Sequence, residues 1–325
     1  MNRIALVGAG LVGTSWAVVF ARAGFRVTLF DVSRASVDAA LISAQAILTD
    51  LKEQELLGGQ SVEEVQERII LSDSLAAAVS EADYVQESAP ERLAVKKELY
   101  QQLAGLVRSD AIIASSTSGL PASSFTEDIA GRERCIVCHP INPPHLIPLV
   151  ELVPAAWTDT LVVERTQELM RRVGQVPIRL NREVAGFVVN RLQSAVLAEA
   201  FKLVEDGICS VADVDAAVSE GLGLRWFFMG PFETVDLNAQ GGVGDYCRKL
   251  GPMYYDLAKE QAQARRWSED LVLSVDAACR NKTPAHELER RKVWRDRCLA
   301  GLIRAKRSVL SGASEAQGTT EAMHS

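Results

Sequence analysis

Three glycines near the start of the chain have the spacing that a dinucleotide needs. The run Gly8-Ala9-Gly10-Leu11-Val12-Gly13 follows directly on an apolar stretch, Ile4–Val7, and opens an amphipathic one, Leu11–Ala23. In a strand–turn–helix of this kind Gly8 permits the tight turn and Gly10 lets a pyrophosphate approach the backbone. Gly13 permits close packing of helix on strand. The first-turn N–H groups of the helix, at Leu11, Val12 and Gly13, then face the phosphates with a favourable dipole. A second apolar stretch, Val27–Phe30, ends at Asp31, eighteen residues after Gly13. A carboxylate there can accept from both ribose hydroxyls and repels a 2′-phosphate, so the expected cofactor is NAD rather than NADP.

Other residues with ligating or nucleophilic chemistry are scattered. The four histidines form neither an H-x-x-x-H nor an H-E-x-x-H pattern, and no metal is expected. Among the six cysteines, Cys135 and Cys138 make a C-x-x-C within a strand-like run. Positions three apart on a strand point to opposite faces, which argues against a shared metal or a redox pair. The thiols are expected to be reduced, as in a cytoplasmic protein. A net charge of -7 offers no footprint for nucleic acid or an anionic membrane. No apolar stretch approaches membrane-spanning length, and Met1 leads almost at once into the first strand-like run.

A chain of 325 residues with 48% hydrophobic content can bury a full core and suits two domains. In the first half, strand-like runs (Ile4–Val7, Val27–Phe30, Tyr84–Gln86, Ala111–Ala114, Cys135–Cys138) alternate with helical ones (Leu11–Ala23, Leu93–Leu106, Leu161–Val173). That alternation predicts an α/β domain, a doubly wound parallel sheet covered on both faces. The charged segment from Val37 to about Arg68, broken at Gly58-Gly59, predicts a helical hairpin inserted into it. After Pro177–Leu180 only helical periods remain, over Phe187–Val204, Val211–Ser219, Met253–Gln263 and Glu287–Ser308. The expected division is a sheet domain over 1–183, an all-helical domain over 184–310 and a disordered tail over 311–325.

The stretch His139-Pro140-Ile141-Asn142-Pro143-Pro144-His145, followed by Leu149-Val150-Glu151-Leu152-Val153, is the most specific in the chain. With it go Glu87-Ser88-Ala89-Pro90-Glu91 and Lys96, Ser115-Ser116-Thr117-Ser118-Gly119-Leu120, Gly186-Phe187-Val188-Val189-Asn190-Arg191-Leu192 and Gly230-Pro231-Phe232-Glu233. Together with the glycine run, these phrases resemble the 3-hydroxyacyl-CoA dehydrogenase family over nearly the whole chain. His139-Pro140-Ile141-Asn142-Pro143-Pro144, Gly221-Leu222-Gly223-Leu224-Arg225-Trp226 and Trp294-Arg295-Asp296-Arg297-Cys298-Leu299 are similar to its short-acid branch, whose substrates include L-gulonate and L-carnitine.

The resemblance implies a catalytic pair twelve residues apart, at His139 and Glu151. A neutral histidine suits removal of an alcohol proton, and a carboxylate on its other nitrogen fixes the tautomer and stabilises the imidazolium. By the same resemblance Ser118 and Asn190 hold the substrate oxygen, Glu91 and Lys96 lie beside the cofactor, and the helical domain pairs two subunits. His145 has no such support and reads as a loop residue. An intact catalytic set argues against a purely structural role. One departure from the acyl-CoA members is the longer stretch Glu220–Phe228, which carries Arg225. A fixed guanidinium there would match the carboxylate of a small anionic hydroxy acid, or would pin the loop through backbone carbonyls.

Overall fold

The computed structural model describes the backbone of residues 1–321 and the side chains of residues 1–310. The chain divides into two compact units: Met1–Val189 with Asp296–Ser308, and Asn190–Arg295 with the chain from Val309 onward.

The first unit is built on an eight-stranded sheet of order β3-β2-β1-β4-β5-β6-β7-β8. Its strands are β1 (Arg3–Val7), β2 (Arg26–Phe30), β3 (Ile69–Leu71), β4 (Tyr84–Glu87), β5 (Ile112–Ser115), β6 (Cys135–Pro140), β7 (Leu149–Pro154) and β8 (Val176–Arg179). The helices between them are α1 (Leu11–Arg22), α2 (Arg34–Glu53), α3 (Val62–Gln66), α4 (Leu75–Val79), α5 (Leu93–Leu106), α6 (Ser123–Thr126) and α7 (Thr160–Arg172). Alternate residues of each strand feed one of two cores, as a sheet covered on both faces requires. Ile4, Leu6, Val27 and Leu29 join α1 and α2 in one; Ala5, Val7, Val85 and Ile113 join α4, α5 and α6 in the other. Cys138 belongs to the first core and Cys135 to the second. Burial pushes both thiols up to about 12, so they stay protonated and inert.

Local signals set the element ends. The Ser33 hydroxyl accepts from Ser36 N–H and caps α2. Ser61 and Glu64 form a reciprocal capping box on α3. Gly58 and Gly59 adopt positive φ, 61° and 87°, and break the two helices as their sequence implies. The three-residue β3, at the end of the charged segment, and the strands β7 and β8 were not among the expected strands.

The sheet departs from uniform parallel pairing at one place, where β6 and β7 run antiparallel. Only residues 141–148 join them, fewer than the dozen or so that a parallel crossover needs, so the chain folds straight back. β8 then pairs parallel to β7.

The second unit is helical: α8 (Val189–Glu205), α9 (Val211–Ala216), a π-helical stretch (Ala217–Leu222), α10 (Gly223–Trp226), α11 (Pro231–Asp236), α12 (Gly242–Gln261) and α13 (Glu269–Lys282). The last helix, α14 (Leu288–Glu321), is shared between the units. By contacts the division falls at Val189/Asn190, a few residues past the expected 183/184, and the second unit is interrupted by 296–308. Residues 296–308 return to the first unit. There Ala300 is buried with Leu299 and Ile303 against the first core, and Arg297 and Arg304 pair with Asp50 and Glu55 at 3.2 and 2.9 Å. Of the tail expected to be disordered, 311–325, the helical course to Glu321 is described; residues 322–325 lie outside the described residues. Among the described residues, no helix is long and apolar enough to cross a membrane.

Candidate active site

The glycine turn is shaped by steric necessity. Gly8 sits at φ 108°, and a Cβ on it would meet the Ser88 carbonyl oxygen at 2.6 Å. A Cβ on Gly13 would fall 1.8 Å from the carbonyl oxygen of Gly8, so α1 could not approach the turn so closely with any other residue. At Gly10 a Cβ would meet nothing within 4 Å; it would project into open space. That space belongs to a groove of about 600 Å³ lined by Gly8, Gly10, Asp31, Val32, Ser88 and Leu99, among others. The orphan N–H groups at the start of α1 border it. Asp31 stands at the end of β2, where its carboxylate accepts from Ala9 N–H at 2.8 Å and Ser33 N–H at 2.9 Å. It therefore fixes the turn as well as facing the groove. These residues fit a dinucleotide: bare backbone for the pyrophosphate, a carboxylate for the ribose and an apolar wall for the base.

His139 and Glu151 are direct register partners across the antiparallel β6–β7 pair. Their spacing of twelve is thus the spacing of two facing residues in a hairpin. The ring nitrogen Nδ1 lies 2.8 Å from Glu151 Oε2. Glu151 Oε1 accepts from the backbone N–H of Val188 at 2.8 Å and of Val189 at 3.1 Å. Glu151 is 0% exposed and His139 6%. Burial pushes the Glu151 carboxyl up, but the His139 ring and the two backbone N–H donors outweigh it and hold the group below its ordinary 4.5. Glu151 is therefore a carboxylate, and as an acceptor it selects the tautomer of His139 that donates from Nδ1, which leaves Nε2 of the neutral ring as the basic nitrogen. Phe187, fully buried with its ring 5.6 Å from that of His139, closes one side of the imidazole.

Ser118 lies on the loop after β5, exposed, and that loop is held from below. The Glu91 carboxylate accepts from the Thr117 hydroxyl, from Ser118 N–H at 3.1 Å and from Gly119 N–H at 3.2 Å. Lys96 is 0% exposed and is not on the groove wall. Its ammonium lies 2.9 and 3.0 Å from the two oxygens of Glu87 and 3.3 Å from the Ser115 hydroxyl, with Glu91 farther off at 3.7 Å. Sequence reasoning set Lys96 beside the cofactor and missed its main partner. The available signal was Glu87 itself, since a carboxylate ending a central strand needs a cation. A second network also escaped it. The Ser116 hydroxyl bonds Trp16 Nε1 at 3.2 Å, Gln86 Nε2 at 2.7 Å and the Ser88 hydroxyl at 2.9 Å, joining α1 to the ends of β4 and β5.

The first unit thus holds the glycine run with Asp31, the Glu91 brace on the Ser118 loop, and the His139–Glu151 pair. Asn190 and Arg225 belong to the second unit. Asn190 follows in the chain directly on Val189, whose N–H is fixed by Glu151. Arg225 lies on α10, which follows directly on the π-helical stretch Ala217–Leu222. It is exposed, and its guanidinium makes no hydrogen bond or ion pair among the described residues, so it pins no backbone carbonyl there. His145 is buried, with Nδ1 3.1 Å from the Ser15 hydroxyl on α1. No cluster of three or more His, Cys, Asp or Glu that could hold a metal occurs among the described residues.

Residues 3–184 match the family model described as 3-hydroxyacyl-CoA dehydrogenase, NAD binding domain, and residues 186–283 the one described as its C-terminal domain. The chain is 40% identical to lambda-crystallin of Oryctolagus cuniculus over 309 residues, 94% of this chain and 97% of that protein. It is 34% identical to an L-carnitine dehydrogenase of Pseudomonas sp over 328 residues, 100% of this chain and 96% of that one. Among solved structures, an NAD-dependent 5-dehydrogenase of a formyl-hydroxy-methylpyridine carboxylic acid superposes with a TM-score of 0.79 at 27% identity. It covers 94% of this chain and 99% of that chain.

Proposed function

Because the chain belongs to the 3-hydroxyacyl-CoA dehydrogenase family and is an NAD-dependent dehydrogenase, we propose that it oxidises a small free L-3-hydroxy acid of the L-gulonate type to the 3-oxo acid. NAD, when bound, supplies the acceptor for the hydride that leaves the 3-carbon. The chain's own groups handle the proton. His139 Nε2 takes it from the 3-hydroxyl, and Glu151 stabilises the imidazolium from the far side of the ring. Ser118 and Asn190 have the role of holding the substrate oxygen, Ser118 on a loop whose backbone Glu91 braces. Asp31 and the glycine turn hold the cofactor.

The choice of a free acid over a thioester rests on Arg225, an exposed guanidinium with no hydrogen bond or ion pair among the described residues. A chain of net charge -7 repels an anionic substrate at long range and needs a local cation to hold it. The similarity to an L-carnitine dehydrogenase supports the same class, since carnitine is itself a free 3-hydroxy acid. A homodimer formed through the helical unit is part of this reading. It is supported by apolar side chains there that stay exposed in the single chain, such as Phe232 at 81% and Leu237 at 67%. A cytoplasmic setting fits the six free thiols.

A panel of L-gulonate, L-carnitine, L-3-hydroxybutyrate and 3-hydroxybutyryl-CoA, read by NADH absorbance, tests the substrate class. Arg225→Met should raise KM for the free acid by roughly 10–150-fold and spare an uncharged ester of it. Preferred turnover of the CoA thioester, or equal losses on acid and ester, overturns the proposal.

A further inference from the structure

Away from the groove and the His139–Glu151 pair, the first unit has a second cavity, of about 310 Å³. It is an open depression bordered by the ends of α1 and α7 and the turn after α2, with one residue from α14. Three arginines, Arg22, Arg172 and Arg307, are among its lining residues, and Glu55 is the one carboxylate there. Glu55 is already bonded to Arg304 at 2.9 Å. Among the described residues, no carboxylate lies within 4.0 Å of Arg22, Arg172 or Arg307.

The neutral groups of the lining do not make up the deficit. The Gln60 amide is spent, with Nε2 donating to the carbonyls of Arg22 and Leu57 and Oε1 accepting from Arg68. Arg172 rests on the Phe25 ring at 5.0 Å. Half-buried Arg22 donates one long bond, 3.3 Å, to the His145 carbonyl. Burial and the neighbouring charge of Arg307 lower its pKa to about 10. The C-terminal dipoles of α1 and α7 offset part of this, at about half a negative charge each. Three positive charges thus stand against roughly one negative, a local excess that an anion would offset.

We propose that this cavity is a binding site for a small phosphate-type dianion, held by the guanidinium forks of Arg22, Arg172 and Arg307. Guanidinium matches phosphate oxygens in bidentate fashion, and the volume admits inorganic phosphate or a small phosphomonoester. The site is distinct from the reaction centre, and two hydrogen bonds run from Arg22 through the segment between its strands. Arg22 holds the carbonyl of His145, His145 bonds Ser15 on the dinucleotide helix, and His145 lies in the segment joining the strands of His139 and Glu151.

The test uses the purified full-length chain with saturating NADH, so that the glycine turn is already filled. Inorganic phosphate is titrated calorimetrically against chloride at matched ionic strength, with melting temperature followed alongside. One saturable site is expected. Arg172→Gln and Arg307→Gln, both at exposed positions that the fold tolerates, should each weaken it by roughly tenfold or more. Arg225→Met should bind phosphate as the wild type does, which separates this cavity from the proposed substrate cation. Tighter binding of glycerol 3-phosphate than of phosphate identifies a phosphorylated metabolite as occupant; equal binding identifies the free ion. Identical behaviour in phosphate and chloride, binding that survives both glutamine variants, or loss of binding in Arg225→Met overturns the proposal.

Discussion

Replacing Glu151 with glutamine keeps the shape of the side chain and removes its charge. In the native site one oxygen accepts from Val188 and Val189 N–H, at 2.8 and 3.1 Å, while the other faces His139 Nδ1 at 2.8 Å. Glutamine has one oxygen for these three donors. If the oxygen turns toward His139, the amide nitrogen meets two backbone N–H groups in a site that is 0% exposed. Each unpaired buried donor costs about 1–3 kcal/mol. The cheaper arrangement keeps both backbone bonds and points the amide nitrogen at Nδ1. The ring must then accept at Nδ1 and carry its proton on Nε2, the nitrogen needed as the base. Locking the wrong tautomer costs roughly 10²–10⁴ in kcat, by analogy with the loss of the carboxylate in a serine triad. NADH formation gives kcat, and NADH fluorescence titration should return an unchanged dissociation constant, because the groove is built from other residues. Stability carries a pH signature of its own. The Glu151 carboxyl is held below its ordinary 4.5, so its pairing contributes fully above that pH and fades as pH falls through the lower folded value. The melting-temperature gap between wild type and variant should narrow below about pH 4.5. A variant that keeps more than about a tenth of kcat would refute the tautomer argument.

Asp31 should make NAD preferred over NADP by at least about tenfold in kcat/KM, or about 1.4 kcal/mol; Asp31→Ser should narrow the gap, and equal efficiency in the wild type would remove Asp31 from the ribose. Lys96→Met leaves the Glu87 carboxylate buried without its cation and should cost about 3–5 kcal/mol in denaturant unfolding, part of which adding Glu87→Gln restores. A single variant as stable as the wild type would show that the pair is not needed. Glu91→Gln weakens the charge-assisted bonds to the Ser118 loop and should lower kcat/KM for the hydroxy acid by roughly tenfold or more, with NADH affinity within about twofold. The reverse pattern would make Glu91 a cofactor contact first.

Local order in the chain was enough for the dinucleotide turn. The strand, the three glycines, the helix and Asp31 are contiguous, and each glycine's role depends on neighbours only a few residues away or on one adjoining strand. The antiparallel return from β6 to β7 was not foreseen, because Leu149–Pro154 was not among the expected strands; once both strands are placed, the eight residues between them are too few for a crossover. Placing His139 and Glu151 in one site needed the family resemblance; tertiary structure supplied the reason, which is cross-strand register. It alone decided that the Glu151 carboxylate is completed by backbone N–H groups 37 and 38 residues away. It turned Lys96 inward to Glu87, where sequence periodicity shows an apolar helix face but not what that face meets. It also brought residues 296–308 back onto the first unit, through ion pairs that span 247 and 249 positions, and it gathered Arg22, Arg172 and Arg307 around one cavity from three distant helices. A sequence encodes which face of each element is apolar and where the element stops. Which charged side chains converge is set by how those faces pack, and that depends on contacts made across the whole length of the chain.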